Sequence, residues 1–550
     1  MNLNDYQVRR LEQFAFDESC ARHLVYYYAV QRDHERLTAL RPRIAEADTA
    51  GLLACDLLAT EDDPDGGLSL FARVAEHDDP WLHHTLAKSL LSRGNLKDVL
   101  RLVHERLKQA PGDTNILNLT IQWLIAQGQY KLAVDVAERS LHLASPQDDV
   151  DIYREFARRG QALPHELYLE VWPKPFTLTY YLPVYNVERY IRLAIEGLCA
   201  LSHPLHEILV VNDGTPDRSM DIAREYPVRI VEHDGNRGLA AARNTAFRNA
   251  VTQFVGAIDT DAYPDPDLAR NYLLEFENTL VPMAGAGGRL IEANQVDPPD
   301  RWRTKYLPQH QGRKRLCTPQ GLYGSNTLFV RETILKVGGY DEQYRTNGED
   351  VSICHALRTA GYGFFYTPNA VAYHARTDTV ASVLKTCWAW AEPGKRQAGY
   401  YDDPVVLINS FNDLIPAMQS YLRVDLQADD PELGYLDVLC LFYVTFLDMN
   451  AAVRKGTLPA GEARYVEDAL LGALAKAEER LVPGLHARAL EDIAPLLHEP
   501  GGDISEDLKQ RVAPIAAKAV EIYEIIPKDF YERMMEASKS EKITTKTQSH

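Results

Sequence analysis

Apolar positions recur at helical spacing through the first part of the chain, in HTLAKSLLSRGNLKDVLRLVHERL and again in LNLTIQWLIAQGQYKLAVDVAERSL. A period of three to four residues marks helices with one buried face. Gly94 and Gly128 lie 34 residues apart, each between two such helices, and Pro111 and Pro146 follow the second helix of each pair. A third copy is expected to end at FARRG, with Gly160, and a degenerate one to precede Pro80. A linker around VWPKPF (171–176) separates this region from a different pattern. From Thr177, the β-rich runs TLTYYL, EILVVND, VRIVEHD and FVGAID alternate with the helix-like ERYIRLAIEGLCAL, DRSMDIAREY and GLAAARNTAFRNAV. Strand–helix alternation predicts a parallel sheet covered on both faces. After about residue 400 the pattern is helical again, and the closing SKSEKITTKTQSH is polar and expected to be disordered.

The 34-residue period resembles that of tetratricopeptide repeats. Stacked helix pairs of that kind offer a concave surface to peptide or protein; the alternative is an ordinary helical bundle with a chance spacing. The expected domains are a helical, tetratricopeptide-like region at 1–170, an α/β domain at 175–400, a C-terminal helical domain at 401–537 and a tail at 538–550.

Composition adds exclusions. The net charge of −19 argues against non-specific binding to nucleic acid or anionic membrane. Seven cysteines are scattered singly with no CxxC, which favours reduced thiols in a cytosolic compartment. MNLNDYQVRRLEQF lacks the basic-then-apolar order of a signal peptide. In LDVLCLFYVTFLDMNAAV the apolar run between Asp437 and Asp448 is about half the ~20 residues a membrane helix needs, so a buried helix is expected there. A soluble, cytoplasmic protein without a transmembrane segment is expected.

In an open parallel sheet, ligands bind beyond the carboxyl ends of the strands. The four strands end in Pro183-Val184-Tyr185-Asn186, Asn212-Asp213-Gly214-Thr215, Asp234-Gly235-Asn236-Arg237-Gly238 and Asp259-Thr260-Asp261. Such residues also suit strand-to-helix turns, but four in succession predict a crevice. Asp259 and Asp261 repel each other, and a turn needs neither. Hard cations such as Mn²⁺ or Mg²⁺ take carboxylate oxygens and bridge to phosphates; the plainer alternative is one helix-capping and one solvated Asp.

Residues ~177–380 resemble family 2 glycosyltransferases, enzymes of the GT-A fold. The matching pieces stand in the family's order: YYLPVYN, VVNDGTPD, NRGLAAARNTA, AIDTDAYPDPD, GSNTLFVRETILKVGGYDEQY, GEDVSICHALRTAGY and AYHAR. The resemblance covers roughly two fifths of the chain and does not extend to the helical flanks. It implies that Pro183 and Tyr185 hold the nucleotide base and that Asp213 hydrogen-bonds it, usually as uracil. Asn212 stands where the family often has another Asp. The resemblance further implies Arg237 or Arg243 near the nucleotide or diphosphate, Asp259 by the ribose and metal, Asp261 on the metal, and His374 as a further metal ligand. Asp350 of GED falls at the catalytic base, with Glu349 as the adjacent alternative; by themselves these two read as an acidic pair at a helix N-terminus.

The implied activity is a metal-dependent, inverting transfer of a sugar from a nucleotide-diphosphate donor, UDP-sugar foremost, to an acceptor hydroxyl. The acceptor is expected to be a protein, such as a surface or flagellar subunit, with a cell-surface polysaccharide as the alternative. A catalytically inactive helical-repeat interaction protein and a nucleotidyltransferase are the readings from other classes. Two features stay open. The basic DRWRTKYLPQHQGRKRL (300–316) is expected to close over diphosphate or to be a solvated loop, and Trp388 and Trp390 to floor a sugar site or to pack against the C-terminal helices.

Overall fold

Helices Pro80–Ser92, Asn115–Ala126 and Asp148–Arg158 all end the same way in the computed structural model of the protein. Gly94, Gly128 and Gly160 follow them at φ +72°, +70° and +60°. In each, the glycine N–H bonds back three residues and the next N–H bonds back five, as in Gly94 N to Leu91 O and Asn95 N to Leu90 O. This left-handed closure satisfies carbonyls that the helix end leaves open, and glycine adopts it without a Cβ clash. Helices Leu96–Gln109 and Tyr130–Ser140 complete the first two pairs. The segment after Gly160 forms no second helix, so the third copy is half a repeat. The structure describes residue 9 and residues 18–44, 49–59, 71–143, 148–279, 281–478 and 484–539. Pro146, most of the N-terminal stretch, much of the degenerate copy before Pro80 and the tail from 540 lie outside the described residues.

Contacts divide the chain into two units, one of residues 1–291 and 309–375, the other of residues 292–308 and 376–550. The first holds the helical region and, among the described residues, a nine-stranded sheet. Its strands are β1 (Leu178–Val184), β2 (Glu207–Asn212), β3 (Arg229–Glu232), β4 (Phe254–Ile258), β5 (Ala262–Pro264), β6 (Met283–Glu292), β7 (Leu316–Cys317), β8 (Asn326–Val330) and β9 (Gly363–His374). Their order is β3-β2-β1-β4-β8-β6-β9-β5, with β7 on β9. β1 to β4 run parallel, and β8 is antiparallel to β4 and to β6. Side chains alternate between faces along a strand. Leu178, Tyr180, Leu182 and Val184 accordingly join one core with helices Ile191–Cys199 and Leu268–Leu274. Tyr181, Leu209 and Val211 join another with helices Leu239–Asn249 and Glu349–Thr359. The sheet is thus covered on both faces, as the strand–helix alternation predicts.

The helical region docks on the α/β domain through helix Leu268–Leu274, the turns at its two ends and Arg315. Arg270 reaches Asp79 at 2.9 Å and Asp267 at 2.7 Å, while His23 Nε2 lies 3.0 Å from Asp267. Glu277 receives Lys88 and lies 3.5 Å from His84. Arg315 bonds Asp149 at 2.7 Å and Glu275 at 2.8 Å. These groups are buried. Buried ion pairs add little net stability, but their geometry fixes how the two surfaces register.

In the second unit, helix Pro431–Lys455 is the core element, with side chains buried nearly throughout from Leu433 to Ala452. It is long and apolar enough to cross a membrane by length and composition, yet 78% of its most apolar stretch is buried among its neighbours. Its two interior acids are matched by donors. Trp302 Nε1 donates to Asp437 at 2.8 Å; Trp388 Nε1 and Tyr401 Oη each donate to Asp448 at 2.8 Å, and Lys395 pairs with the same carboxylate. Burial and neighbouring Asp425 push the Asp437 carboxyl well above its ordinary range.

The basic 300–316 stretch corrects its expectation. Residues 300–306 belong to helix Pro298–Tyr306 and not to a loop, while Arg313 and Lys314 stand exposed in the segment that follows. Most cations of the stretch are tied down: Arg301 to Asp430 and Glu432, buried Arg303 to Glu292, Asp300 and Asp378, Lys305 to Asp425, and Arg315 as above. Each carboxylate partner except Asp300 lies outside the stretch itself, which is why local charge alone misread it. Trp388 packs on the core of the second unit, while Trp390 is exposed.

Candidate active site

Because β1 to β4 are parallel, their carboxyl ends share one edge, and the turns there bond to one another. Asn212 Oδ1 accepts from Thr215 N at 2.9 Å, closing a side-chain turn after β2. Thr215 Oγ1 accepts from Asn186 N at 2.8 Å, and Thr260 Oγ1 donates to Pro183 O at 2.6 Å. Gly214, at φ +71°, lies so close to Gly235 that an added Cβ would stand 2.7 Å from its carbonyl carbon. Pro183 thus anchors the edge through its backbone, and Tyr185 stands 44% exposed beside it.

Asp213 is buried beneath the next turn. Its carboxylate accepts from Arg237 N and Gly238 N, each at 2.8 Å, and lies 2.7 Å from His233 Nδ1. In this structure it holds the 233–238 turn in place. The Arg237 guanidinium points to Glu342, 3.1 Å away, at the surface.

The antiparallel strands bring in the distant motifs. Ile258 pairs with Asn326, so the turn before β8 starts where β4 ends. Asp259 N donates to Ser325 O at 3.1 Å, and Gly324 N donates to Asp350 Oδ2 at 3.0 Å. Ala262 pairs with His374, which places His374 Nε2 3.2 Å from Asp261 Oδ2. Asp259, Asp261, His374 and Asp350 therefore meet at one edge, although 91 residues separate Asp259 from Asp350.

Beneath them lies Arg243, 1% exposed. Its guanidinium donates to Tyr181 Oη at 2.9 Å and approaches Asp259 Oδ1 at 3.5 Å and Glu349 Oε1 at 3.3 Å. An added Cβ on Gly324 would sit 2.8 Å from Arg243 Nη2 and 3.2 Å from Asp350 Cβ, so a larger residue there would press on both side chains. Arg243 supports the carboxylates from within; the structure does not place it in the open cleft. Against the effect of burial, the negative groups around it hold its pKa well above the ordinary value. Burial raises the Asp259 carboxyl, Arg243 opposes the shift, and Asp261 adds to it.

Glu349 and Asp350 open helix Glu349–Thr359 after Gly348, which is left-handed at φ +88°. Asp350 Oδ1 also accepts from Val351 N at 2.8 Å, so backbone amides hold both of its oxygens. The helix-terminal reading and the site reading of GED therefore describe one arrangement. Glu349 turns inward to Arg243, and burial, resisted by Arg243 and reinforced by Asp350, pushes its carboxyl up to about 7. A carboxyl raised on folding stabilises the fold below its unfolded pKa and loses that contribution as pH rises through the folded value. Thermal midpoints of the wild type are accordingly expected to fall between about pH 4.5 and pH 7 through this group, and Glu349→Gln to flatten that limb.

The sequence reading missed Tyr181 and Gly324 as parts of this edge and the inward role of Arg243, and Glu349, named there as the alternative base, instead faces Arg243. The available signal was an arginine in the middle of the small, apolar helix LAAARNTAF, where a cation needs buried partners.

Residues 180–338 match the family model described as "Glycosyl transferase family 2", and residues 27–153 match "ChAPs (Chs5p-Arf1p-binding proteins)". The chain carries a family 2 glycosyltransferase domain of GT-A fold behind an N-terminal, tetratricopeptide-like helical region. It is similar to the uncharacterized glycosyltransferase EpsJ of Bacillus subtilis (strain 168), 36% identical over 144 residues, covering 25% of this chain and 40% of that protein. It is also similar to a poly-β-1,6-N-acetyl-D-glucosamine synthase of Staphylococcus epidermidis, 25% identical over 226 residues, covering 40% of this chain and 54% of that one. The chain thus spans about two fifths to one half of the length of these curated relatives. Among solved structures, S. aureus TarS 1–349 aligns with 51% of this chain and 92% of that one, at 16% identity and a TM-score of 0.32, too slight a likeness to carry a conclusion.

Proposed function

We propose that the protein is an inverting glycosyltransferase that moves a sugar from a UDP-sugar to an acceptor hydroxyl. The observation that carries this reading is the convergence of Asp259, Asp261, His374 and Asp350 at the carboxyl edge of the sheet. Asp350 takes the proton of the acceptor hydroxyl as its oxygen attacks the anomeric carbon, and the nucleoside diphosphate leaves from the opposite face. Arg243 and the amides of Gly324 and Val351 hold the carboxylates in position. Tyr185 and Pro183 border the nucleotide base.

The donor set fits a divalent cation. Asp261 and His374 already lie together, and Asp259 shares their field. Two carboxylates and an imidazole suit Mn²⁺ better than Mg²⁺, which prefers oxygen alone. Among the described residues no three His, Cys, Asp or Glu side chains form a complete metal-holding group, so diphosphate oxygens would supply the remaining ligands. Such a cation neutralises charge on the departing diphosphate.

A glycan acceptor agrees with the name of the similar poly-β-1,6-N-acetyl-D-glucosamine synthase. A protein acceptor is the second reading, supported by helix pairs docked on the catalytic domain through buried charges. The test begins with calorimetric titration of UDP with and without Mn²⁺. Wild type is expected to bind UDP at least tenfold more tightly with Mn²⁺, and Asp261→Asn to lose that gain. Equal UDP affinity with and without metal in the wild type would defeat the metal assignment; absence of UDP binding would remove the donor assignment.

A further inference from the structure

In the second unit, two of the described unbridged cysteines face each other. Cys387 lies on helix Val380–Gln397 and Cys440 on helix Pro431–Lys455, with their sulfurs 3.9 Å apart. The geometry points to an oxidisable dithiol, in which Cys387 reacts first with a peroxide and Cys440 resolves the product to an intramolecular disulfide.

The pairing is held in place from outside itself. Trp388, next to Cys387, donates its indole N–H to Asp448, and Lys395 pairs with the same carboxylate. Asp448 lies about two turns beyond Cys440 on the same helix. One buried acid therefore fixes the register of the two helices and keeps the thiols opposed. A disulfide closes at about 2.05 Å, so the sulfurs need about 1.9 Å of further approach, a distance on the scale of side-chain rotation between helices already packed.

Access is asymmetric. Cys440 is fully buried, whereas Cys387 is partly exposed. The hydrogen bond from Cys440 and the charge of Lys395 draw the Cys387 thiol down against burial, while its bond to Cys387 and burial push the Cys440 thiol up. A lowered, reachable thiol beside a buried partner is the arrangement of a peroxide-reactive and a resolving cysteine. With hydrogen peroxide as two-electron oxidant, the Cys387 thiolate attacks one peroxide oxygen, the O–O bond breaks, and the released hydroxide takes up a proton to leave as water. Cys387 is left as the sulfenic acid. The Cys440 thiol then attacks that sulfur, the S–O bond breaks, and a second water leaves as the disulfide forms. A dithiol reductant returns both thiols. The product staples helix Val380–Gln397 to the core helix of this unit. This inference does not rest on the glycosyltransferase reading.

The test uses the full-length protein treated with a small molar excess of hydrogen peroxide, alkylated under denaturing conditions and mapped by mass spectrometry. The expected result is a cross-linked peptide pair joining Cys387 to Cys440, lost on treatment with dithiothreitol. In Cys440→Ser the cross-link cannot form, and Cys387 is expected to accumulate as a sulfenic acid trapped by dimedone. Full alkylation of both cysteines in the oxidised wild type would overturn the proposal. Dimedone-labelled Cys387 without the cross-link in the wild type, or a cross-link between two molecules, would overturn it equally.

Discussion

Asp350→Asn is expected to bind UDP as the wild type does and to lose transfer by on the order of 10²–10⁴-fold in kcat, the contribution usual for a positioned general base. The carboxamide keeps the size of the side chain, and its oxygen still accepts from one of the two amides, Gly324 N or Val351 N, that hold the carboxylate. It cannot take the acceptor's proton. The measurements are UDP titration and nucleoside diphosphate release from a UDP-sugar in matched preparations. Near-normal turnover in this variant would move the base elsewhere. Glu349 is an unsuitable replacement, because its carboxylate faces Arg243 and the protein interior.

The second large effect concerns stability. Arg315→Met is expected to destabilise the first unit by about 3–5 kcal/mol, the cost of removing one partner from a buried ionic cluster. Arg315 bonds Asp149 of the helical region and Glu275 at the C-terminal end of helix Leu268–Leu274, and its Nη1 also reaches Thr114 Oγ1 at 3.1 Å. Methionine fills much of the same volume and leaves two buried carboxylates without their cation. Denaturant unfolding followed by fluorescence measures the change. A loss under about 1 kcal/mol would show that water or a shifted side chain reaches these carboxylates.

Much of the fold was legible because it depends on local periodicity. The four β-rich runs became the four adjacent parallel strands, since alternating and continuous apolar patterns specify which faces are buried. The glycines of the repeat were legible for a related reason: a left-handed helix end is a local backbone requirement. The 300–316 stretch failed under the same method. Its charges look solvent-facing when read in order, but Arg303 and Arg315 are buried against carboxylates elsewhere in the chain. Charge pairing at long range leaves no periodic trace.

The sequence by itself determined the element types, the parallel half of the sheet and the identity of the carboxylates at its edge. Only the tertiary structure decided what those carboxylates touch. Antiparallel pairing of β8 with β4 brings Gly324 and Asp350 to the end of β4, and pairing of β9 with β5 sets His374 beside Asp261. Arg243 then becomes a buried support because Tyr181, Asp259 and Glu349 converge on it from three separate segments. Local hydrogen-bonding and side-chain period are properties of neighbours in the chain, whereas desolvation and ion pairing are properties of neighbours in space.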